Sequence, residues 1–176
     1  LLEKGKVVYR RAYADWARFA DRCSWDEGHA AALVQVGLSQ WRLGDIEQAL
    51  DTLRTLEAWE LPPTVRVEAL LGLGVILRAS GRKSEALDVL GQCAILARDL
   101  HLPILELRAE TNLANTEVQL GEIASAIERF DRVSQSCQNL GDQLGRVHAL
   151  KNRGNPLVLS GQLEAAEEHP DLRRSE

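Results

Sequence analysis

The 176-residue sequence is poor in aromatic residues, proline and cysteine, and it contains no methionine. Only 5% of its residues are aromatic and only 5 are prolines, which disfavours a β-sandwich and favours helices. The 3 cysteines are widely spaced and form no C-x-x-C pair, so we expect buried thiols in a reducing, cytoplasmic compartment rather than disulfides. No run of about eighteen apolar residues is present, which predicts that the chain does not span a membrane.

The charge of the chain is uneven. The net charge is −5, which disfavours direct binding to nucleic acid. Residues 1–22 are nevertheless basic, and we interpret them either as a solvated helix face or as a contact to an acidic neighbour. Arginine greatly outnumbers lysine, a bias that we read as bacterial. The start at Leu1 without methionine favours a fragment of a larger protein over a complete chain.

Four glycines mark an internal repeat. They are spaced by 37, 40 and 40 residues, at Gly44, Gly81, Gly121 and Gly161. Seven residues before each glycine stands a small residue, namely Gly37, Gly74, Ala114 and Gly154. Five residues after each stands an alanine, namely Ala49, Ala86, Ala126 and Ala166. Periods of this length are the signature of repeat architectures, in which each unit stacks on its neighbours.

The pattern predicts two helices in every copy. Each glycine ends the first helix in a left-handed conformation, and the small residue and the alanine let the two antiparallel helices approach closely. Proline after Leu61 and after Leu102 marks the break between copies, since proline suits the first turn of the next helix. We therefore predict an all-α fold, a right-handed superhelical solenoid of antiparallel helix hairpins.

We predict a single domain over residues 1–176. It consists of a partial leading repeat at 1–28, repeats at 29–65, 66–102 and 103–142, and an incomplete fourth repeat at 143–176. Because proline disrupts a helix interior, Pro156 predicts that the first helix of the fourth copy is kinked, or restarts with Asn155 as its cap. Residues 170–176 are expected to fray or to form an incomplete cap.

The small residue, the glycine and the alanine at these offsets resemble tetratricopeptide repeats. Two features depart from that family, whose period is 34 residues and which has an aromatic residue four before the glycine. Here the period is longer, and those positions hold Gln40, Leu77, Glu117 and Leu157. The longer period resembles the variant of kinesin light chains and of sensor domains in bacterial signalling ATPases and transcription activators.

Two asparagine pairs recur on the first helices of the third and fourth copies. They are Asn112 with Asn115, and Asn152 with Asn155. The resemblance implies that Asn112 and Asn152 bind an extended partner segment in the concave groove. We expect Asn115, Asn155, Arg108 and Lys151 to take part beside them. The amides could equally set the packing between repeats or lie on plain surface. The first two copies have no such pairs, so the polar groove is predicted only in the second half of the chain.

Catalytic and metal-binding motifs are absent from the sequence. The four histidines have no metal-ligand spacing, and no phosphate loop or G-x-S-x-G motif occurs. We therefore expect no enzyme activity and no cofactor, and we interpret Cys93 as a core thiol. The favoured function is a protein-interaction scaffold that binds a protein or peptide, with dimerisation through exposed repeat ends. The alternative is a regulatory sensor domain of a larger bacterial signalling ATPase or transcription regulator.

Overall fold

The computed structural model describes residues 2–23, 26–159 and 161, and over these residues the chain is helical without any strand. The helices are α1 (Leu2–Arg22), α2 (Asp26–Leu43), α3 (Ile46–Thr55), α4 (Pro63–Ala79), α5 (Lys83–Asp99), α6 (Pro103–Leu120), α7 (Ile123–Leu140) and α8 (Gln143–Leu159). A 3-10 turn at Leu56–Ala58 extends α3. The predicted all-α class is confirmed.

The helices form two layers of a solenoid. Consecutive helices pack side by side along the whole chain, and the pairs α2–α3, α4–α5 and α6–α7 are the expected hairpins. The first helices α2, α4, α6 and α8 also contact one another in that order. They make up the inner layer, and α3, α5 and α7 make up the outer layer. The repeat boundaries proposed from the sequence remain a prediction, although the three hairpins fall close to them.

The glycines that define the repeat adopt the predicted left-handed conformation. Their φ angles are 101° at Gly44, 83° at Gly81, 86° at Gly121 and 75° at Gly161. The turns after the second helices use the same conformation, at Gly141 with φ of 73° and at His101 with φ of 55°. At Gly44, Gly81, His101, Gly121 and Gly141 the left-handed residue reverses the chain between two described helices, because this conformation closes the last helical turn.

Small residues let the two helices of a hairpin approach closely, as predicted. A Cβ added at Gly37 would lie 2.9 Å from Leu53 Cγ, and one added at Gly74 would lie 2.5 Å from Leu90 Cγ. Ala49 and Ala86, the alanines after the turns, are completely buried. The second helix therefore places its leucine directly over the glycine of the first.

The fourth copy corrects one expectation. Helix α8 continues through Pro156 to Leu159 as a single element, so a restart with Asn155 as its cap is wrong. Pro156 and Leu157 are fully buried, and their burial offsets the loss of a helical hydrogen bond, which costs about 3 kcal/mol in an exposed helix. Residues 170–176, expected to fray, lie outside the described residues.

Two of the three cysteines are buried as expected. Cys93 and Cys137 are almost inaccessible, whereas Cys23 is only partly buried. Burial raises the pKa of the Cys93 thiol to about 11, slightly offset by the charge of Arg108. The Cys93 thiol also contacts the carbonyl oxygen of Val67 at 3.4 Å. Cys93 is therefore a neutral packing residue of the core.

Candidate binding groove

The six residues predicted to bind a partner lie on two neighbouring inner helices. Arg108, Asn112 and Asn115 are on α6, and Lys151, Asn152 and Asn155 are on α8. Residues three and four apart share a helix face, so each set forms one stripe. Since α6 and α8 contact each other, the two stripes are adjacent. We call the surface formed by these six residues the Asn groove.

A cleft of about 200 Å³ opens between the first turns of α6 and α8. Arg108, Thr111 and Asn112 line it from α6, and Gly145 and His148 line it from α8. The structure therefore brings two of the predicted residues, Arg108 and Asn112, together with His148. The other four predicted residues do not line this cleft. The sequence signal for His148 was its match to Arg108 across forty residues.

The asparagines of the Asn groove differ in their hydrogen bonds. The Asn112 side chain donates to the Arg108 carbonyl of its own helix at 2.8 Å. Within the described part of the chain, the amides of Asn115, Asn152 and Asn155 make no hydrogen bond, although Asn115 and Asn152 are half-buried. An amide both donates and accepts, so these three side chains can still bind a backbone segment.

The cleft has a basic rim and one acidic wall residue. Arg108, His148 and Lys151 are exposed. The Asp142 carboxylate accepts a hydrogen bond from the Gly145 amide at 2.9 Å, at the start of α8. Burial, followed by the charge of Asp142, raises the pKa of the Cys137 thiol at the cleft floor. The thiol is therefore neutral, and the Arg108 guanidinium presents positive charge at the cleft.

The matching inner surface of the first two copies is apolar. At the positions of the asparagine pairs stand Gln35 and Leu38 on α2, and Gly72 and Val75 on α4. A Cβ at Gly72 would lie 3.4 Å from Leu38 Cδ2, so α2 packs tightly on α4 here. Trp41 is partly buried against the main core, so it acts as a packing residue.

A polar layer between the helices of a hairpin was not foreseen from the sequence. In the third copy Arg129 of α7 forms ion pairs with Glu110 and with Glu117 of α6, the latter at 2.7 Å. Hydrogen bonding to the nearly buried Glu117, then to Glu110, raises the pKa of Arg129 despite the opposing effect of burial. Arg98 of α5 joins the network through Glu110 at 3.7 Å and also pairs with Glu106 at 2.8 Å.

The same two repeat positions carry a polar contact in the first and third hairpins. They lie four residues before and eight after the repeat glycine. In the first copy the Thr52 hydroxyl donates to the Gln40 amide oxygen at 2.8 Å, and in the third copy the pair is Glu117 with Arg129. The second copy has Leu77 at the first position. A residue pair therefore occupies the place of the aromatic residue that the sequence lacks.

Comparison with known proteins agrees with this architecture. A tetratricopeptide repeat family model matches residues 31–58, and no curated protein matches significantly. The nearly identical repeats of a putative kinesin light chain from Podosopora anserina superpose with a TM-score of 0.71 at 17% identity, over 98% of this chain and 93% of theirs.

Two further solved structures have similar folds. PlcR of Bacillus thuringiensis, solved with the peptide PapR7 and DNA, gives a TM-score of 0.79 at 12% identity over 93% of this chain. A Rap protein in complex with Competence and Sporulation Factor gives 0.75 at 17% identity over 95% of this chain. This chain spans 62% of the PlcR chain and 47% of the Rap chain. At these identities the likeness confirms the tetratricopeptide-like repeat fold and its all-helical architecture.

Two features are absent from the described residues. No helix among them has the length and apolar character needed to cross a bilayer. Nor do these residues gather three His, Cys, Asp or Glu side chains in the arrangement of a metal site.

Proposed function

We propose that this tetratricopeptide-like solenoid is a non-catalytic scaffold that binds an extended protein segment in the Asn groove. The observation that carries the proposal is the set of amides at Asn115, Asn152 and Asn155, which have no hydrogen-bond partner within the described residues. They lie on adjacent stripes of α6 and α8, where a segment running across both helices meets a donor and an acceptor at each step.

The charge of the groove selects among such segments. Arg108 lines the cleft, and Lys151 is exposed farther along α8. Arginine forms strong charge-assisted hydrogen bonds with carboxylates. The bound segment is therefore extended and carries an acidic residue near the cleft between α6 and α8.

A displayed library of random short peptides tests this proposal. Peptides selected on the wild type are measured by fluorescence polarisation against Asn115→Ala/Asn152→Ala. We expect the dissociation constant to rise about tenfold or more, because each lost hydrogen bond contributes about 0.5–1.5 kcal/mol. Asn139→Ala is the matched control, since Asn139 is exposed at the end of α7 and bonds only locally, to Gln135. If the double variant binds the peptides as tightly as Asn139→Ala does, the asparagines are plain surface residues that do not bind the segment.

The second candidate is a regulatory sensor domain of a larger bacterial signalling ATPase or transcription regulator. It is favoured by the fold shared with PlcR, solved with the peptide PapR7 and DNA, and with the Rap protein, solved with Competence and Sporulation Factor. Under this function, a peptide bound in the Asn groove changes the activity of a neighbouring domain. The test is to measure ATPase activity or DNA binding of the gene's full product with and without the selected peptide. An unchanged activity at saturating peptide would leave the plain scaffold as the function.

Self-association through a repeat end is part of the proposal. Helix α1 exposes Val8, Trp16 and Phe19, with Trp16 and Phe19 in edge-to-face contact at 6.0 Å between ring centroids. Exposed apolar faces of this kind tend to pair. We expect a dimer at high concentration that Trp16→Gln/Phe19→Gln dissociates, as measured by light scattering. A wild type that is monomeric at every concentration would contradict this.

The partner is a protein or peptide in the cytoplasm rather than nucleic acid or membrane.

A further inference from the structure

The outer layer has two equivalent grooves that differ in chemistry. The first lies over α4, between α3 and α5, and the second lies over α6, between α5 and α7. The first is a cavity of about 410 Å³, and we call it the leucine groove after its main lining residues. These are Leu53, Leu56, Leu61, Leu70, Leu73 and Leu96. The second is smaller, at about 260 Å³, and charged side chains line it.

The leucine groove is separate from the inner surface of the solenoid. Arg66, Leu70 and Leu73 of α4 line it. Glu68 and Val75, which match Arg108 and Asn115 of α6 in the repeat, point to the other side, because successive residues of a helix are rotated by about 100°. A ligand in the leucine groove therefore does not touch the inner surface.

Ion pairs bridge the second groove but not the first. Across the second groove Arg98 pairs with Glu106 at 2.8 Å and approaches Glu110 to 3.7 Å. Counted from the repeat glycines, the position of Arg98 corresponds to Leu61, that of Glu106 to Arg66, and that of Glu110 to Leu70. The leucine groove thus has apolar side chains where the second groove has a charged bridge.

Because leucines replace the charged bridge, Arg66 lies at the edge of an apolar cavity and has no carboxylate partner among the described residues. Within the described residues, the only hydrogen bond of its guanidinium is a long one, 3.4 Å, to the Trp59 carbonyl. Glu57 also lines the groove but forms no ion pair with Arg66 in this part of the chain. An arginine guanidinium binds a carboxylate through two parallel hydrogen bonds, so Arg66 is free to hold one.

We propose that the leucine groove binds a medium-chain aliphatic carboxylate, with its chain among the leucines and its carboxylate on Arg66. The volume suits a small ligand, since such sites usually measure about 300–1,000 Å³ and are mostly apolar with a few polar groups. A partner helix is about 10 Å wide with its side chains, and a single compact cavity does not accommodate its row of anchors.

Calorimetric titration with decanoate and with decanol tests the proposal. Decanoate is expected to bind with one site per chain and about tenfold more tightly than decanol. Arg66→Gln should remove this difference by weakening decanoate alone, and Glu57→Gln should tighten decanoate because it removes a like charge. Arg108→Gln, in the Asn groove, is the matched control and should leave decanoate binding unchanged.

A second variant closes the groove. Leu61→Arg/Arg66→Glu copies the Arg98–Glu106 bridge of the second groove, and we expect it to abolish decanoate binding while far-ultraviolet circular dichroism stays that of the wild type. Arg66→Gln changes only an exposed side chain and should therefore fold. It still tests the proposal if the double variant does not fold. The proposal is overturned if decanoate shows no saturable binding, if Arg66→Gln weakens decanoate and decanol equally, or if only an amphipathic peptide binds there.

Discussion

The close approach of the two helices in the second repeat can be tested by adding one methyl group. A Cβ at residue 74 would lie 2.5 Å from Leu90 Cγ and 2.6 Å from its Cδ2, and Leu90 is itself fully buried. Overpacking of this kind costs about 1–3 kcal/mol, and the better helix propensity of alanine returns about 0.5–1 kcal/mol. We therefore expect Gly74→Ala to lower the free energy of unfolding by about 1–2 kcal/mol.

Gly91 supplies a control with the opposite sign. It lies in the interior of α5, and a Cβ there would meet nothing within 4 Å. Gly91→Ala should therefore raise the free energy of unfolding by about 0.5–1 kcal/mol. Both values are measured by urea unfolding followed by far-ultraviolet circular dichroism.

A double-mutant cycle isolates the contact with Leu90. Leu90→Ala removes the atoms that the new methyl group would meet, so Gly74→Ala in that background should be neutral or stabilising. The difference between the two backgrounds measures the steric coupling. If Gly74→Ala costs the same in both, close packing against Leu90 is not the reason for glycine at this position.

Three further outcomes follow from buried or strained groups. Arg129→Gln leaves the nearly buried Glu117 unpaired and should lower the free energy of unfolding in urea by about 2–4 kcal/mol. Glu117→Leu/Arg129→Val introduces the residues of the second repeat and should stay within about 1 kcal/mol of wild type. Equal losses in the two variants would contradict this. In native protein, Cys93 should react with a thiol reagent only as fast as the chain unfolds, while Cys23 reacts directly, as mass spectrometry of the labelled peptides shows. The folded-state pKa of Cys93 is raised from 9.0 to about 11. The neutral thiol therefore stabilises the folded state fully below pH 9.0, and this stabilisation is lost towards pH 11. The wild type should accordingly lose more free energy of unfolding over that range than Cys93→Ala. Gly121→Ala, at φ of 86°, should cost about 1 kcal/mol by thermal unfolding, and a cost no greater than that of Gly121→Asn would count against left-handed strain.

Features set by neighbouring residues were predictable from the sequence. The left-handed glycines, such as Gly44 and Gly81, and the prolines that open α4 and α6 act within one or two turns of chain. The same kind of rule was wrong at Pro156, where α8 continues because burial of Pro156 and Leu157 outweighs local helix propensity. Local rules fail where packing energy exceeds propensity.

The Asn groove was predictable only in outline. The repeat placed Asn112 and Asn152 on equivalent helix faces, which the structure reproduces. Which amides are already bonded could not be inferred, because Asn112 and Asn115 are equivalent in pattern yet only Asn112 bonds to its own helix. Which asparagine bonds to its own helix depends on side-chain rotamers and on contacts with the neighbouring helix. The spacing of residues in the sequence determines neither.

The sequence by itself determined where the first helix of each described hairpin ends, because turn chemistry is a local property. Only the tertiary structure decided the chemistry of the surfaces between the repeats. Glu117 receives its charge partner from a position twelve residues away on the next helix. Among the described residues Arg66 has no carboxylate partner, because leucines stand at positions 61 and 70 of its groove. Such partners are fixed by how side chains from different helices meet, and the same repeat pattern is compatible with an ion-paired groove or an apolar one.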